Sequence, residues 1–588
     1  MVQIIAVLSK PPVVSDTAVE DLASPRPHTC IALAAGWALL VAPVIAHTLW
    51  RPLLVAFSGS GDAAHVTVAS LGVALVGVAA LWRSPGRLLS ALASSSAAAV
   101  LATIVMSSGD ADFRGSLAAG VALLVVAAST CVVAPRIIAR LPVDLDVVAR
   151  RRRGATIAAA LLLALAVLQS ARLSTFMGDA TRSGAAATTP VLPDFGHHSC
   201  VTAYIHGAKL ARSGAENLYE ARWWPSLVGR AEGEPASPDE VAAATDAAAA
   251  YAPFGLDAYA YPPPFLLLPR AVLVLSDDFS AQRALWFGLN ALFLAFGLVY
   301  VSLWIAASAP RAGLRALLLA PLVWTSWLTL ITLQVGNVHL SVVVAAVLGM
   351  VALESKRPAL GGAVLALAIL TKISPGLLGV VLLVQRRWHE ALWTAGFGLL
   401  WTLLALIVFG PAPFEAFVVY ELPRLSSGAA LEFFSESLTD ISINLAPFGI
   451  PFKLQALGVA VDDVWARAAT VNSVFTAIVV GLTIVAARRR IDRRIDVGLW
   501  LAVLTLGGLR SPFAPGYVAF GALWLLTLWV ADVRRPAHAL GLAIVFIVLS
   551  GAPLSGAPLI VFSFAQQATL LALLVWFIAR ARSLARAP

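Results

Sequence analysis

Long apolar runs separated by short basic ones make up most of this chain, and that alternation limits what it can fold into. Apolar runs stand at 30–49, 65–84, 87–106, 116–138 and 154–176. More follow at 283–308, 316–334, 338–355, 391–410, 468–487, 497–510, 517–533, 537–553 and 559–579. Most are near the 20 or so residues a helix needs to cross a bilayer. In hydrocarbon every backbone N–H and C=O must find its partner within the protein, so such runs are expected as helices. The expected fold class is an all-α polytopic integral membrane protein. Composition agrees, with 60% hydrophobic residues, 12% charged residues and a mean hydropathy of +0.86, against about 25% charged in a soluble domain.

The net charge of +9 is not spread over a face. It gathers in "ARRRRG" (149–154), "QRRWHE" (385–390), "ARRRIDRRID" (487–496), "VRRP" (533–536) and "ARARSLAR" (579–586). That is the positive-inside pattern of a multi-span protein. Nucleic-acid binding would need a basic face with groove-reading or stacking elements, and the chain shows neither. All basic runs fall on one side, taken as cytoplasmic, if "YPPPFLLLPRAVLVL" (261–275) lies along the interface or re-enters rather than crossing. The long polar intervals 177–260 and 411–467 then face outward. Residues 1–29 read as a cytoplasmic tail without a cleavable signal, 30–150 as an appended four-helix membrane module, and 151–588 as the main membrane domain. Cys30, Cys131 and Cys200 have neither metal-ligand spacing nor a disulfide framework.

Between 355 and 391 the chain reads "KRPALGGAVLALAILTKISPGLLGVVLLVQRRW", basic at both ends. Both ends should stay cytoplasmic, so the segment is expected as a hairpin of two short helices. Its turn is at "TKISP" (371–375), where Pro375 stops the helix. Lys372 is then an ammonium deep in an apolar element, costing roughly 2.5–3.5 kcal/mol on insertion scales, and such charges tend to be functional. Snorkelling to the headgroups is the plainer alternative.

The stretch "PDFGHHSCVTAYIHGAKLARSG" (193–214) places a carboxylate and three histidines in the first outer interval. Val201, Ile205, Ala208 and Ala211 recur at helical spacing, Asp194 suits an N-cap and Gly214 a C-terminal stop. Zinc is not expected at the histidines: His197 and His198 point about 100° apart on a helix, and His206 lies two turns from His198.

Four stretches in order carry a resemblance. They are "DFGHHSCVTAYIHGAKLARSGAENLYE" (194–220), "YAYPPPFLLLPRAVLVL" (259–275), the long segment from "LQVGNVHLSVVV" to "VQRRW" (333–388), and "LRSPFAPGYVAF" (509–520). Together they resemble glycosyltransferase family 87 over roughly 154–580. The resemblance implies a GT-C-type transmembrane helical bundle with two large non-cytoplasmic loops bearing interfacial helices. It implies transfer of a sugar, mannose first and arabinofuranose next, from a polyprenyl-phosphate donor to a hydroxyl of a cell-envelope glycolipid or glycan. The setting would be a bacterial plasma membrane with the site on the outer side. The chain departs from the family in having "GHHSC" where members commonly carry a Tyr soon after the Asp-Phe pair.

By resemblance and location, Asp194 is the candidate general base of an inverting displacement. Lys372 is the candidate partner of the donor phosphate. His339 and Asn337, in the "QVGNVH" turn, and Tyr261, opening "YPPP", are expected beside the donor. Arg510 ends a span on the outer side, against the usual charge bias, as an anion would favour. His198, Glu436, Asp440 and Arg424 are candidates for the acceptor groove. No cofactor or metal is expected, because the chain has no paired-carboxylate metal motif and no Gly-rich phosphate loop; partners are the two substrates and the bilayer. The competing readings are a transporter or lipid flippase, an O-antigen-ligase or polymerase type of enzyme, and a structural scaffold. A transporter would show internal repeats and midplane charge pairs, which the sequence lacks; a scaffold leaves Lys372 without a reason.

Overall fold

The computed structural model describes residues 197–225, 238–488, 491–530, 536–550 and 556–585, with Leu173, Phe176 and Met177. Asp194, the 1–29 tail and the 30–150 module lie outside the described residues. The chain forms two compact units, one of Met1–Arg182 with Ser276–Leu292 and one of Ser183–Leu275 with Phe293–Pro588. In the first, Arg283 is buried and donates to the carbonyls of Phe176 and Met177 at 2.8 and 3.2 Å. Its guanidinium lies 4.3 Å from the Phe176 ring, so it meets backbone oxygens and an aromatic face.

The described residues are helices joined by turns, with no strand. Among the described residues, four helices are long and apolar enough to cross a membrane: Phe279–Ala306, Trp388–Phe409, Val464–Ala487 and Gly556–Ala581. A fifth stretch reaches that length only as a bent pair of helices. The run expected at 316–334 folds as Pro310–Thr325 and Trp327–Val335, bent by 59°. Ser326 makes the break and caps the second piece, accepting from the Thr329 amide at 3.3 Å. The outward faces are apolar, and Ile407 is 80% exposed on the Trp388–Phe409 helix. A face of that kind is stable in lipid rather than water. The protein is a helical membrane protein.

The run expected to span at 338–355 is only sixteen residues of helix, His339–Glu354. At 1.5 Å per residue it reaches about 24 Å, short of a full crossing. It starts from a turn within the protein, where Gly336 takes a left-handed φ of 72° that ends the previous helix. The hairpin reading of 355–391 holds. Pro358–Thr371 and Gly376–Val384 are separated by an extended Lys372 and by Pro375. Arg387 pairs with Glu354, tying the two basic ends of the hairpin together and leaving Lys372 at its far turn.

The second large interval folds as short helices between Ala412 and Ala456. It is fastened to the turn after the Arg493–Gly508 helix by buried Asn444. Its Oδ1 accepts the amides of Ala446 and Ala514 at 2.9 and 3.0 Å, and its Nδ2 donates to Pro512 O at 2.9 Å. A side chain that closes three backbone bonds is costly to lose, since each buried group left unmet costs about 1–3 kcal/mol. Asn444→Ala should therefore destabilise by roughly 2–4 kcal/mol, read as a lower midpoint of thermal unfolding in detergent. An unchanged midpoint would mean the loop is held elsewhere.

Candidate functional site

The Cys200–Ser213 helix forms one wall. Val201, Ile205, Ala208 and Ala211 are its buried stripe, and Gly214 ends it with a φ of 81°. The cap position expected at Asp194 is occupied by Ser199 instead, because the helix begins at Cys200. Gly207 allows a close approach: a Cβ there would stand 3.0 Å from the Tyr259 ring. Residues 255–257 fold back on the start of this helix. The Gly255 amide donates to His197 O at 2.9 Å and the Asp257 amide to Thr202 Oγ1 at 3.1 Å.

This fold-back sets Asp257 beside His198, with Oδ1 3.2 Å from Nδ1. The other ring nitrogen, Nε2, lies 3.6 Å from Cys200 Sγ. Burial opposes a charge on His198, but Asp257 and Cys200 outweigh it and raise its pKa well above 6.5. The ring is 40% exposed, so solvent screens part of that effect. His206 goes elsewhere, packing against Trp224 and Tyr251 with ring centroids at 5.1 and 5.8 Å. Burial, helped by Lys209, lowers its pKa to about 4. His197 lies 3.1 Å from Pro253 O through Nδ1, so the three histidines go to separate places. His197 and His198 precede the helix, and the angle expected between them on a helix does not apply.

Asn337 links this cluster to the hairpin turn. Its Nδ2 donates to Cys200 Sγ at 3.5 Å, and its Oδ1 accepts from Lys372 Nζ at 3.4 Å and from the His339 amide at 3.0 Å. The ammonium also lies 5.6 Å from the Tyr261 ring and 5.1 Å from the Tyr517 ring, in reach of both π faces. Tyr261 OH meets Tyr204 OH at 3.0 Å, and the Val338 amide donates to Tyr204 OH at 3.4 Å. His339 packs on Tyr517 with centroids 5.1 Å apart, and its buried Nε2 has no partner among the described residues. Asn337 is the one acceptor given to Lys372 among those residues, so a three-donor ammonium keeps donors unspent.

Of the residues singled out in the sequence, Lys372, Asn337, His339 and Tyr261 come together, and His198 joins them through Cys200. Arg510 has a different partner, its Nε donating to Thr476 Oγ1 at 3.2 Å. Arg424 is 3.8 Å from Glu421 and 4.7 Å from the Tyr420 ring. Glu436 follows the Ala429–Ser435 turn, and Asp440 lies in the first turn of Leu438–Ile443. Asp463 caps the Val464–Ala487 helix. Asp257, Tyr204 and Tyr517 escaped the sequence reading. A carboxylate two residues before an aromatic-proline element was the one available sign of the first. His198, Cys200 and Asp257 also bring three ligand-type atoms within 4.8 Å of one another, the one such group among the described residues.

Residues 259–512 match the model of glycosyltransferase family 87. The matched stretch contains Tyr261, Asn337, His339, Lys372, Arg424, Glu436, Asp440 and Arg510, and starts two residues after Asp257. It is shorter than the 154–580 over which the motifs resemble that family. No curated protein and no solved structure matches the chain. The match supports a glycosyltransferase acting in a membrane.

Glu421 is a further buried acid, missed in the sequence, at the end of a π-helical turn (Phe417–Glu421) whose Phe417 packs on Tyr219. Its side chain is 3% exposed. Burial pushes the carboxyl up to about 8, against the pull of Arg424. An acid with a raised folded pKa contributes its stability fully below its unfolded value of 4.5 and loses it as pH rises through about 8. The thermal midpoint should accordingly fall between about pH 4.5 and 8, and Glu421→Gln should flatten that fall. Parallel profiles for the two proteins would exclude Glu421 as its source.

Proposed function

We propose that this protein transfers a sugar, mannose first and arabinofuranose next, from a polyprenyl-phosphate donor to a hydroxyl of a cell-envelope glycolipid or glycan. The observation that carries the reading is Lys372. An ammonium at the turn of an apolar hairpin, held by one amide oxygen and two aromatic faces, keeps donors free for an anion. A phosphate whose lipid tail stays in the bilayer has the charge and the depth to reach it. The family match over 259–512 supports sugar transfer at the same residues.

In this reading the acceptor oxygen attacks the anomeric carbon as the bond from that carbon to the phosphate oxygen breaks. The acceptor's proton passes to Asp194, four residues before His198 in the chain, acting as general base. Polyprenyl phosphate leaves with its charge met by Lys372, and Asn337 keeps that ammonium in place. His339 offers the unpartnered Nε2 to the phosphate or sugar, and Tyr261 supplies a ring beneath the sugar. Inversion follows from a single displacement, and no cofactor is required by these steps. Arg510 and the acids of the second loop serve the acceptor side or the headgroups. The basic runs support an orientation with this site on the outer side, and the resemblance to the family supports a bacterial plasma-membrane protein with its bundle arranged in the GT-C manner.

With purified protein and a panel of polyprenyl-phosphate sugars, one donor should be consumed. Lys372→Met should lower kcat/KM for that donor by about 100-fold or more, the scale of a lost oxyanion donor, with the acceptor's KM little changed. Equal losses toward both substrates would remove the phosphate role. Asp194→Asn should abolish transfer while leaving the thermal midpoint in place; retained turnover would remove the base.

A further inference from the structure

Three side chains outside the matched stretch stand in the order of a nucleophile, a base and an orienting acid. Asp257 Oδ1 faces His198 Nδ1 at 3.2 Å, and His198 Nε2 faces Cys200 Sγ at 3.6 Å. The imidazole thus uses one nitrogen on each neighbour, which is the signature of an activated nucleophile. Asn337 Nδ2 donates to the same sulfur at 3.5 Å from another element, so negative charge gathering there is met from two sides. Cys200 is also the first residue of a fourteen-residue helix, where the dipole favours an anion. Its side chain is half-buried, open enough for a small reagent. One metal ion could take only one ring nitrogen, whereas here the two nitrogens face different partners, and a hydrogen-bonded triad describes the geometry better.

We propose that Cys200 is a modification site that reacts with low-molecular-weight disulfides, and that the resulting mixed disulfide closes the Lys372 pocket. His198 Nε2 takes the Sγ proton while Asp257 holds the Nδ1–H. The Cys200 sulfur attacks one sulfur of the reagent, the reagent's S–S bond breaks, and its other half leaves as a thiolate that collects the proton from His198. The disulfide is the oxidant: one half ends bound to Cys200 and the other is released as a thiol. Closure follows from Asn337, whose amide touches Cys200 Sγ with one end and Lys372 Nζ with the other. A group added to the sulfur displaces that amide and stands beside the ammonium. The reactivity is independent of the function proposed above; only the consequence of closure rests on it.

The test uses the full chain carrying Cys30→Ser and Cys131→Ser, treated with glutathione disulfide and followed by intact mass spectrometry. The adduct should form at least about ten times faster than on the same chain unfolded in detergent and urea at equal pH, within the range of positioned proton transfer. Asp257→Asn and His198→Gln should each slow it by about ten-fold or more, with thermal midpoints confirming that both variants fold. A rate equal to that of the unfolded chain, or one untouched by both substitutions, would overturn the triad. So would a stoichiometric zinc ion that protects the thiol and is lost in Cys200→Ser. Adduct formation should abolish donor turnover and dithiothreitol should restore it; full adduct with undiminished turnover would overturn closure. Should unlabelled protein consume no donor, the glycosyl-transfer reading fails while the mass readout still decides reactivity.

Discussion

An ammonium at the turn of an apolar hairpin is the constraint around which the described core is arranged. Lys372 could not sit there unassisted, since a bare charge in hydrocarbon is costly. The fold answers with one amide and two rings, each from a different part of the chain: Asn337 ahead of the hairpin, Tyr261 after the first long polar interval and Tyr517 beyond the Arg493–Gly508 helix. None of the three carries a formal negative charge. A carboxylate in their place would neutralise the lysine and leave it nothing to bind. The partial compensation keeps the cation folded in and still hungry for an anion.

The same logic explains why the surrounding helices are short or broken. Asn337 can face Lys372 because Gly336 turns the chain sharply there and because the crossing before it is bent at Ser326. His339–Glu354 begins inside the protein for the same reason. Irregular backbone at this depth is tolerated where it is buried or lines a polar space, and side chains repair the lost bonds. Ser326 does so for the bent helix pair through its hydroxyl, and Asn444 for the second long polar interval through its amide.

Legibility in the sequence followed the range of the interaction. The hairpin was readable because its signals are local: basic ends, a proline, one lysine in an apolar run. The Cys200–Ser213 helix was readable from its apolar spacing and Gly214. The pairing of His198 with Asp257 was not, because 59 positions separate them and only the fold-back at Gly255 and Thr202 joins them. Asp194 was assigned the cap of that helix, yet Ser199 holds the position, one residue before the first helical one. Arg510 stood out by charge bias, but a helix-end arginine can be met by a neighbouring hydroxyl, here Thr476. Glu421 gave no signal at all, since nothing in "YELPR" distinguishes an acid on the surface from one sealed behind Tyr219 and Phe417.

The placement of Asn337 ties the two halves of the site. Its carbonyl end serves Lys372, which lies within the stretch matching the sugar-transfer family, and its amino end serves Cys200, which lies outside it. An amide cannot reverse its polarity without spoiling both bonds: turned over, it would aim its NH₂ at an ammonium and its oxygen at a sulfur that is itself an acceptor once deprotonated. The orientation is therefore chosen by Lys372 and imposed on Cys200. A change of state at the sulfur then has a direct mechanical route to the cation, through a single side chain and without movement of any helix. That economy separates this arrangement from two sites that merely lie close together, because neither bond to Asn337 can be altered while the other is left as it was.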